Sequence, residues 1–342
     1  MRPGETDDRA HAENGVLAGL RRLGVLGPDE RAELVPLSGG VSSEIWRLSA
    51  ARGDFCVKRA LARLKVAAVW KAPLERSHFE AEWMRVAGSI RPDNVPELVA
   101  EDAESHLVVM RFLSPSDFPL WKAQLRDGHA DPAFAAKVGE ALVAIHAATA
   151  DRPEIAARFA TDAAFHAIRL EPYLEATAGK HPDLEARLFG LSRATAATRR
   201  CLVHGDVSPK NILAGANGPV FLDAECAWFG DPAFDLAFLL NHMLLKGVWT
   251  PPSRDAFLDC FQAIVESYRA GIGWEPAAAL EARVAALLPG LLLARIDGKS
   301  PVEYITAERD KERVRAFAIR FLKDPAEHLS AIAAAWRQES LA

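Results

Sequence analysis

The stretch Leu202-Val203-His204-Gly205-Asp206-Val207-Ser208-Pro209-Lys210-Asn211-Ile212-Leu213 sets a carboxylate and, five positions later, an amide between two apolar anchors. Shortly after it, Val220-Phe221-Leu222-Asp223-Ala224-Glu225 brings a second carboxylate to the end of an apolar run. Phosphoryl transfer asks for such groups. A carboxylate receives the attacking hydroxyl, and oxygen donors hold magnesium against the phosphates. In an H-x-D-x-x-x-x-N loop followed by a strand that ends in Asp, Asp206 takes the first role and Asn211 and Asp223 the second. Glu225 is a candidate for a further metal ligand or a supporting acid. An ordinary acidic surface loop would not need the His-Gly-Asp triplet, the offset Asn and the apolar strand all at once.

The elements that must position these groups fall into two textures. A helix is expected over residues 10–26, stopped by Gly27-Pro28. Alternating segments at 33–38, 44–49 and 54–59, broken by Gly39-Gly40 and Arg52-Gly53, predict a β-meander. A helix opened by Pro73 and running to about residue 86, with strands at 96–100 and 106–113, completes a lobe of five strands and one helix. Beyond Ser114-Pro115 the helical period dominates at 132–148, 183–198, 232–245, 254–270, 275–288, 308–322 and 326–337. Strands are expected there only at 202–203, 212–214 and 220–223. The expected division is an N-terminal helical segment at 1–30, a β-rich lobe at 31–113 and a helical lobe at 114–342. This is an α+β architecture.

Bulk properties narrow the partners. A chain of 342 residues exceeds what one core holds, so two lobes are expected. The formal charge of −5, from 46 acidic and 41 basic residues, offers no field for nucleic acid or an anionic membrane, and a small-molecule partner is expected. Cys56, Cys201, Cys226 and Cys260 form no C-x-x-C pair and are expected as buried thiols of a reducing compartment. The polar, acidic start lacks the apolar centre of a signal peptide, and the greasy run at 285–296 is interrupted by Pro289-Gly290. A cytoplasmic protein with no membrane partner is the expectation.

On these residues the chain resembles the aminoglycoside phosphotransferase and choline kinase group of small-molecule kinases, over roughly residues 37–245. The resemblance implies a bilobal protein-kinase-like fold with a small β-rich N-lobe, a larger helical C-lobe and a hinge near 110–113. It also implies ATP and Mg2+ as cofactors. Leu37-Ser38-Gly39-Gly40-Val41-Ser42-Ser43-Glu44 matches the phosphate loop of that group, so Gly39, Gly40, Ser42 and Ser43 are nucleotide-binding candidates. Lys58, in Phe55-Cys56-Val57-Lys58, matches the lysine that binds the α- and β-phosphates; Glu80 is its expected partner, with Glu75 and Glu82 as alternatives. Adenine is expected against the backbone of 106–113, with Met110 and Phe112 as apolar neighbours. Asp235 and His204 are expected to support the catalytic loop, and His146 to be a satisfied core histidine.

Asp223-x-Glu225 and the segment from Trp70 to Glu80 resemble 5-methylthioribose kinase, but Asn211 and the run at 294–301, which lacks that enzyme's paired arginines, depart from it. The expected acceptor is therefore a neutral sugar or polyol-like alcohol. Aminoglycoside, choline and homoserine are alternatives, and a nucleotide-binding pseudokinase is the alternative of another class. Trp228 and Trp249 are candidates to wall the acceptor pocket, and Arg295, Asp297 and Lys299 to contact the acceptor.

Overall fold

The computed structural model describes residues 3–37, 43–61 and 74–339. The chain divides into two compact units, Met1–Ser114 and Pro115–Ala342. Gly39, Gly40, Ser42, Trp70 and Pro73 lie outside the described residues.

In the first unit, helix α1 (Pro3–Arg22) precedes strands β1 (Glu33–Pro36), β2 (Ser43–Ala50) and β3 (Gly53–Ala60). Helix α2 (Arg76–Ile90) and strands β4 (Leu98–Asp102) and β5 (Leu107–Arg111) follow. The sheet runs β1-β2-β3-β5-β4, every neighbouring pair antiparallel. Helix α1 stops earlier than expected. Gly24 adopts φ +67, a left-handed conformation that glycine reaches without a Cβ penalty, and it ends the helix ahead of Gly27-Pro28. Nor is the N-terminal segment separate. Val16, Leu20, Val25 and Leu26 are buried in one cluster with Trp46, Leu48, Phe55, Val57, Leu107 and Val109 of the sheet. Burying each such side chain contributes about 1.5–3 kcal/mol, so the helix is part of the unit's core.

The second unit begins with α3 (Trp121–Arg126), α4 (Pro132–Thr149), α5 (Pro153–Arg158) and α6 (Asp162–Phe165). A wide-turned π-helical segment, His166–Glu175, leads into α7 (Ala176–Ala178) and α8 (Glu185–Ala197). Strands β6 (Cys201–Val203), β7 (Ile212–Gly215), β8 (Gly218–Phe221) and β9 (Trp228–Gly230) come next. Helices α9 (Pro232–Trp249), α10 (Arg254–Ala270), α11 (Ala277–Asp297), α12 (Glu308–Lys323) and α13 (Leu329–Gln338) complete it.

In the second unit α3, α5, α6 and the His166–Glu175 segment were not expected, and two further elements differ from the sequence expectation. Helix α11 passes through Pro289-Gly290 without a break, and the missing Cβ at Gly290 lets Leu174 and Leu191 pack close to its backbone. It is long and apolar enough to cross a membrane by composition, but its second half is buried within this unit against α9 and α12. Strand β9 was not expected; it pairs with β6 in the register Val203↔Trp228. All four cysteines are free thiols, and burial pushes those of Cys56 and Cys260 up to about 12.

Candidate active site

The catalytic loop hangs from β6, whose three residues are all buried, and leads into the β7–β8 hairpin. Its entry turn needs glycine. Gly205 has φ +79, and a Cβ there would stand 2.6 Å from the Cys226 carbonyl oxygen. The first turn of α9 pins that entry: Asp235 accepts hydrogen bonds from the backbone N–H of His204 (2.7 Å) and Gly205 (2.8 Å). His146 flanks the same carboxylate at 3.3 Å and meets the Tyr268 hydroxyl at 2.7 Å, so it lies in a satisfied core position.

His204 ties the loop to the segment that carries Asp223. Its Nε2 donates to the Leu222 carbonyl (3.1 Å) and its Nδ1 accepts from the Asp206 N–H (3.2 Å). Burial lowers its pKa, which favours the neutral ring, and the two hydrogen bonds set its tautomer.

Asp206 is 4% exposed. Burial alone would raise its pKa, but Lys210 and Arg169 outweigh burial and hold it below the usual carboxylate value. Both cations stand 3.1 Å from its Oδ2. A buried carboxylate held ionised in this way can accept a hydroxyl proton, but it is a weak base. Arg169 had no motif to announce it. It rides on the π-helical segment, which contains Pro172, and its Nε also donates to the Gly205 carbonyl. Such wide turns recur at functional sites, and the unusual position of Pro172 was the only available signal.

The Nδ2 of Asn211 donates to the Asp206 carbonyl (3.1 Å), which leaves its side-chain oxygen as the acceptor end. Leu222 N–H bonds the Asn211 carbonyl (2.9 Å), so the loop and the segment that carries Asp223 are directly linked. Asp223 has φ +67, an uncommon conformation for a residue with a side chain and one that recurs where function fixes geometry. Its charge acts on Asp206, His204 and Lys210 alike. Among the described residues, no group of three or more His, Cys, Asp or Glu could hold a metal by itself. An amide oxygen and one or two carboxylates fit magnesium, a hard cation that usually takes few protein ligands and completes its shell with phosphates and water. Asn211 and Asp223 would hold it, with Glu225, which is half-buried, beside them.

In the first unit, Lys58 on β3 meets both oxygens of Glu80 on α2, at 3.0 and 2.7 Å, with both side chains buried. Glu82 pairs instead with Arg85. Ser43 is buried at the start of β2, and Met110 is buried on β5. Phe112 donates its N–H to Asp54 (3.1 Å) and carries the Arg47 guanidinium over its ring.

The matched residues run from 33 to 280, and the matching description is the phosphotransferase enzyme family. The chain belongs to that family. Among curated relatives, the methylthioribose kinase of Pectobacterium carotovorum subsp. carotovorum is 25% identical over 221 residues, which cover 56% of this chain and 54% of that one. The chain thus spans about half the length of the curated relatives it matches. A choline/ethanolamine kinase family protein from Mesorhizobium loti superposes with a TM-score of 0.52 at 18% identity, covering 95% of this chain and 99% of that chain. An amicoumacin kinase solved with AMP-PNP, Ca2+ and Ami superposes with a TM-score of 0.54 at 13% identity, covering 96% and 98%. These two likenesses show the fold, which is the α+β, two-unit kinase-like fold expected for the phosphotransferase family.

Within this fold the acceptor candidates part company. Trp228 is 1% exposed, stacks on Phe165 at 4.2 Å and donates to Asp162 at 2.8 Å. Its place in β9 turns it into the core, so it offers no wall to an acceptor. Asp297 is occupied by Arg315 and His181, and Lys299 by Glu171. Arg295 is buried and lines a cleft with Ser208 and Lys210 of the catalytic loop.

Proposed function

We propose that this member of the phosphotransferase family is an ATP- and Mg2+-dependent kinase that phosphorylates a hydroxyl of a small molecule with sugar- or polyol-like functionality. The observation that carries the reading is Asp206: buried, kept ionised by Arg169 and Lys210, and fixed on a loop that also presents Asn211 and adjoins Asp223. Family membership and the nucleotide analogue and divalent ion named for the amicoumacin kinase support the nucleotide and metal assignment.

In this mechanism Lys58, oriented by Glu80, neutralises phosphate oxygens of ATP, and Gly39, Gly40, Ser42 and Ser43 belong to the nucleotide site. Met110 and Phe112 adjoin adenine. Asp206 accepts a hydrogen bond from the acceptor hydroxyl and aims it at the γ-phosphorus; as the new O–P bond forms and the bond to ADP breaks, the hydroxyl proton passes to the carboxylate. Magnesium held by Asn211 and Asp223, with Glu225 nearby, would supply charge neutralisation at the phosphates. Because the transition state is loose, alignment and neutralisation outweigh base strength, which suits a carboxylate whose pKa is lowered.

The test is acceptor-dependent ADP release. Asp206→Ala should lower kcat by a factor of about 10² to 10⁴ while Mg-ATP affinity, measured by calorimetry, changes little. Wild-type turnover in that variant would remove the assignment.

A further inference from the structure

A narrow cleft, with about 20 Å³ of internal space, opens in the second unit beside the loop that carries Asp206. Its floor is made by Ser208, His242, Lys246 and Arg295, and its rim by Lys122, Lys210 and Glu303. Lys210 belongs both to this cleft and to Asp206, whose Oδ2 its Nζ meets at 3.1 Å. Whatever fills the cleft therefore lies next to the group that receives the acceptor hydroxyl.

The floor is unusual in its chemistry. Lys246 is 1% exposed and its Nζ has no hydrogen-bond partner; it rests over the rings of Trp249 (4.0 Å) and Tyr304 (3.9 Å). Ser208 Oγ, His242 Nε2 and Arg295 Nε are also buried without partners. The other cations have carboxylates: Lys122 pairs with Glu303, and Lys210 with Asp206. Among the described residues neither Lys246 nor Arg295 makes an ion pair, although Arg295 donates to Tyr173 and Ser300. Burial lowers the His242 pKa, and Arg295, Lys246, Lys210 and Lys122 press it down further, so the field in the cleft is positive. Buried cations are normally paired, and an unpaired one with neighbouring unfilled donors calls for an anion from outside.

We propose that this cleft binds an anionic group of the phosphoryl acceptor, so that the substrate is a hydroxylated acid and not the neutral polyol expected from the sequence. The inference rests on the kinase reading above. Lys246 and the Nε of Arg295 meet the anion, Ser208 donates its hydroxyl, and Lys210 spans the distance to Asp206. The shared chemistry is a small oxyanion, carboxylate or phosphate, on a chain short enough to leave a hydroxyl at Asp206. Protonation of Lys246 follows. Burial, Lys122 and Arg295 pull its pKa down to about 7, against the pull of Glu303; His242 and Trp249 on its own helix, Lys210 on the loop and Tyr304 are the remaining groups facing it. An anion in the cleft favours the charged amine, so binding takes up a proton above pH 7.

The experiment compares matched acceptors on the full chain with Mg-ATP: glycerate against glycerol, gluconate against glucitol, and glycerol 3-phosphate as the phosphate arm. One charge-assisted hydrogen bond is worth a factor of about 10 to 100, and kcat/KM for an acid should exceed that of its polyol by at least that factor. Lys246→Met, and independently Arg295→Lys, should shrink this ratio toward one, with thermal melts confirming that each variant folds. A preference for glycerol 3-phosphate over glycerate assigns the anion as phosphate and supports the inference. Polyols or choline phosphorylated as well as the acids, or a ratio untouched by Lys246→Met, would overturn it and leave the kinase reading standing. If no acceptor stimulates ADP release, the kinase reading fails, and calorimetric titration of glycerate and gluconate at pH 7 and 8.5 decides the site. Binding with proton uptake that Lys246→Met abolishes upholds the anion site; absence of binding overturns it.

Discussion

Arg169→Met tests whether the buried ion pair, and not the loop backbone alone, holds the site together. Arg169 Nη2 stands 3.1 Å from Asp206 Oδ2, and both side chains are less than a tenth exposed. At an effective dielectric of about 20, unit charges about 3 Å apart attract by roughly 5 kcal/mol, an upper bound on what the pair can recover of its own desolvation. Removing one partner of a buried pair costs about 3–5 kcal/mol because the other is left charged in a dry site. Lys210 remains beside Asp206 but is half exposed, so the low end, about 3 kcal/mol, is expected. For a unit of this size that corresponds to a fall in Tm of about 6–12 °C. Urea unfolding followed by tryptophan fluorescence would measure it in a cycle with Asp206→Asn. If the cost comes from stranding a charge, the double variant must be more stable than the two single losses predict, by about 2–3 kcal/mol. Losses that add to within about 0.5 kcal/mol would refute the electrostatic reasoning and leave the Nε bond to Gly205 as the reason for the arginine.

Lys58→Met and Glu80→Gln should each reduce kcat/KM, and non-additively, since each removes the same doubly bonded contact; strict additivity in ADP-release kinetics would separate the two residues. Lys246→Met should raise stability at pH 7, because it removes a buried amine that has no hydrogen-bond partner, offset in part by two lost cation–π contacts. The sign follows from linkage: with the folded pKa about 7 and the unfolded one at the ordinary 10.5, the unfolded state binds more protons between those values. Wild-type stability should therefore climb with pH through that window, and denaturation of the variant should lack this term. Gly205→Ala forces a side chain into φ +79 against the Cys226 carbonyl and should cost more than about 2 kcal/mol with loss of turnover; an unperturbed melt would show that the turn can relax.

The loop from His204 to Asn211 and the segment ending at Asp223 were legible in the sequence because their chemistry is local. The chain itself spaces the carboxylate, amide and second carboxylate, and apolar runs on either side declare the strands that carry them. The five strands and helix of the first unit were legible for the same reason: period-two alternation and turn residues are properties of neighbouring residues. The sequence favoured Glu80 as the partner of Lys58 but left Glu75 and Glu82 open, and only packing, which turns Glu80 onto Lys58, closes that choice. Arg169 lies thirty-seven positions before Asp206 on a helix with no motif, and reaches it only through the wide turn around Pro172. Trp228 was a candidate to wall the acceptor pocket because it follows Asp223-x-Glu225 closely, but a ladder with β6 puts it in the core. Lys246 lay just past the helix expected at 232–245 and carried no signal; it stands out only because α9, α11, the 204–211 loop and the 298–307 loop meet around it. Composition and periodicity determine which faces are buried; which charges end up facing one another across those faces is decided by contacts between distant segments, and no local pattern encodes them.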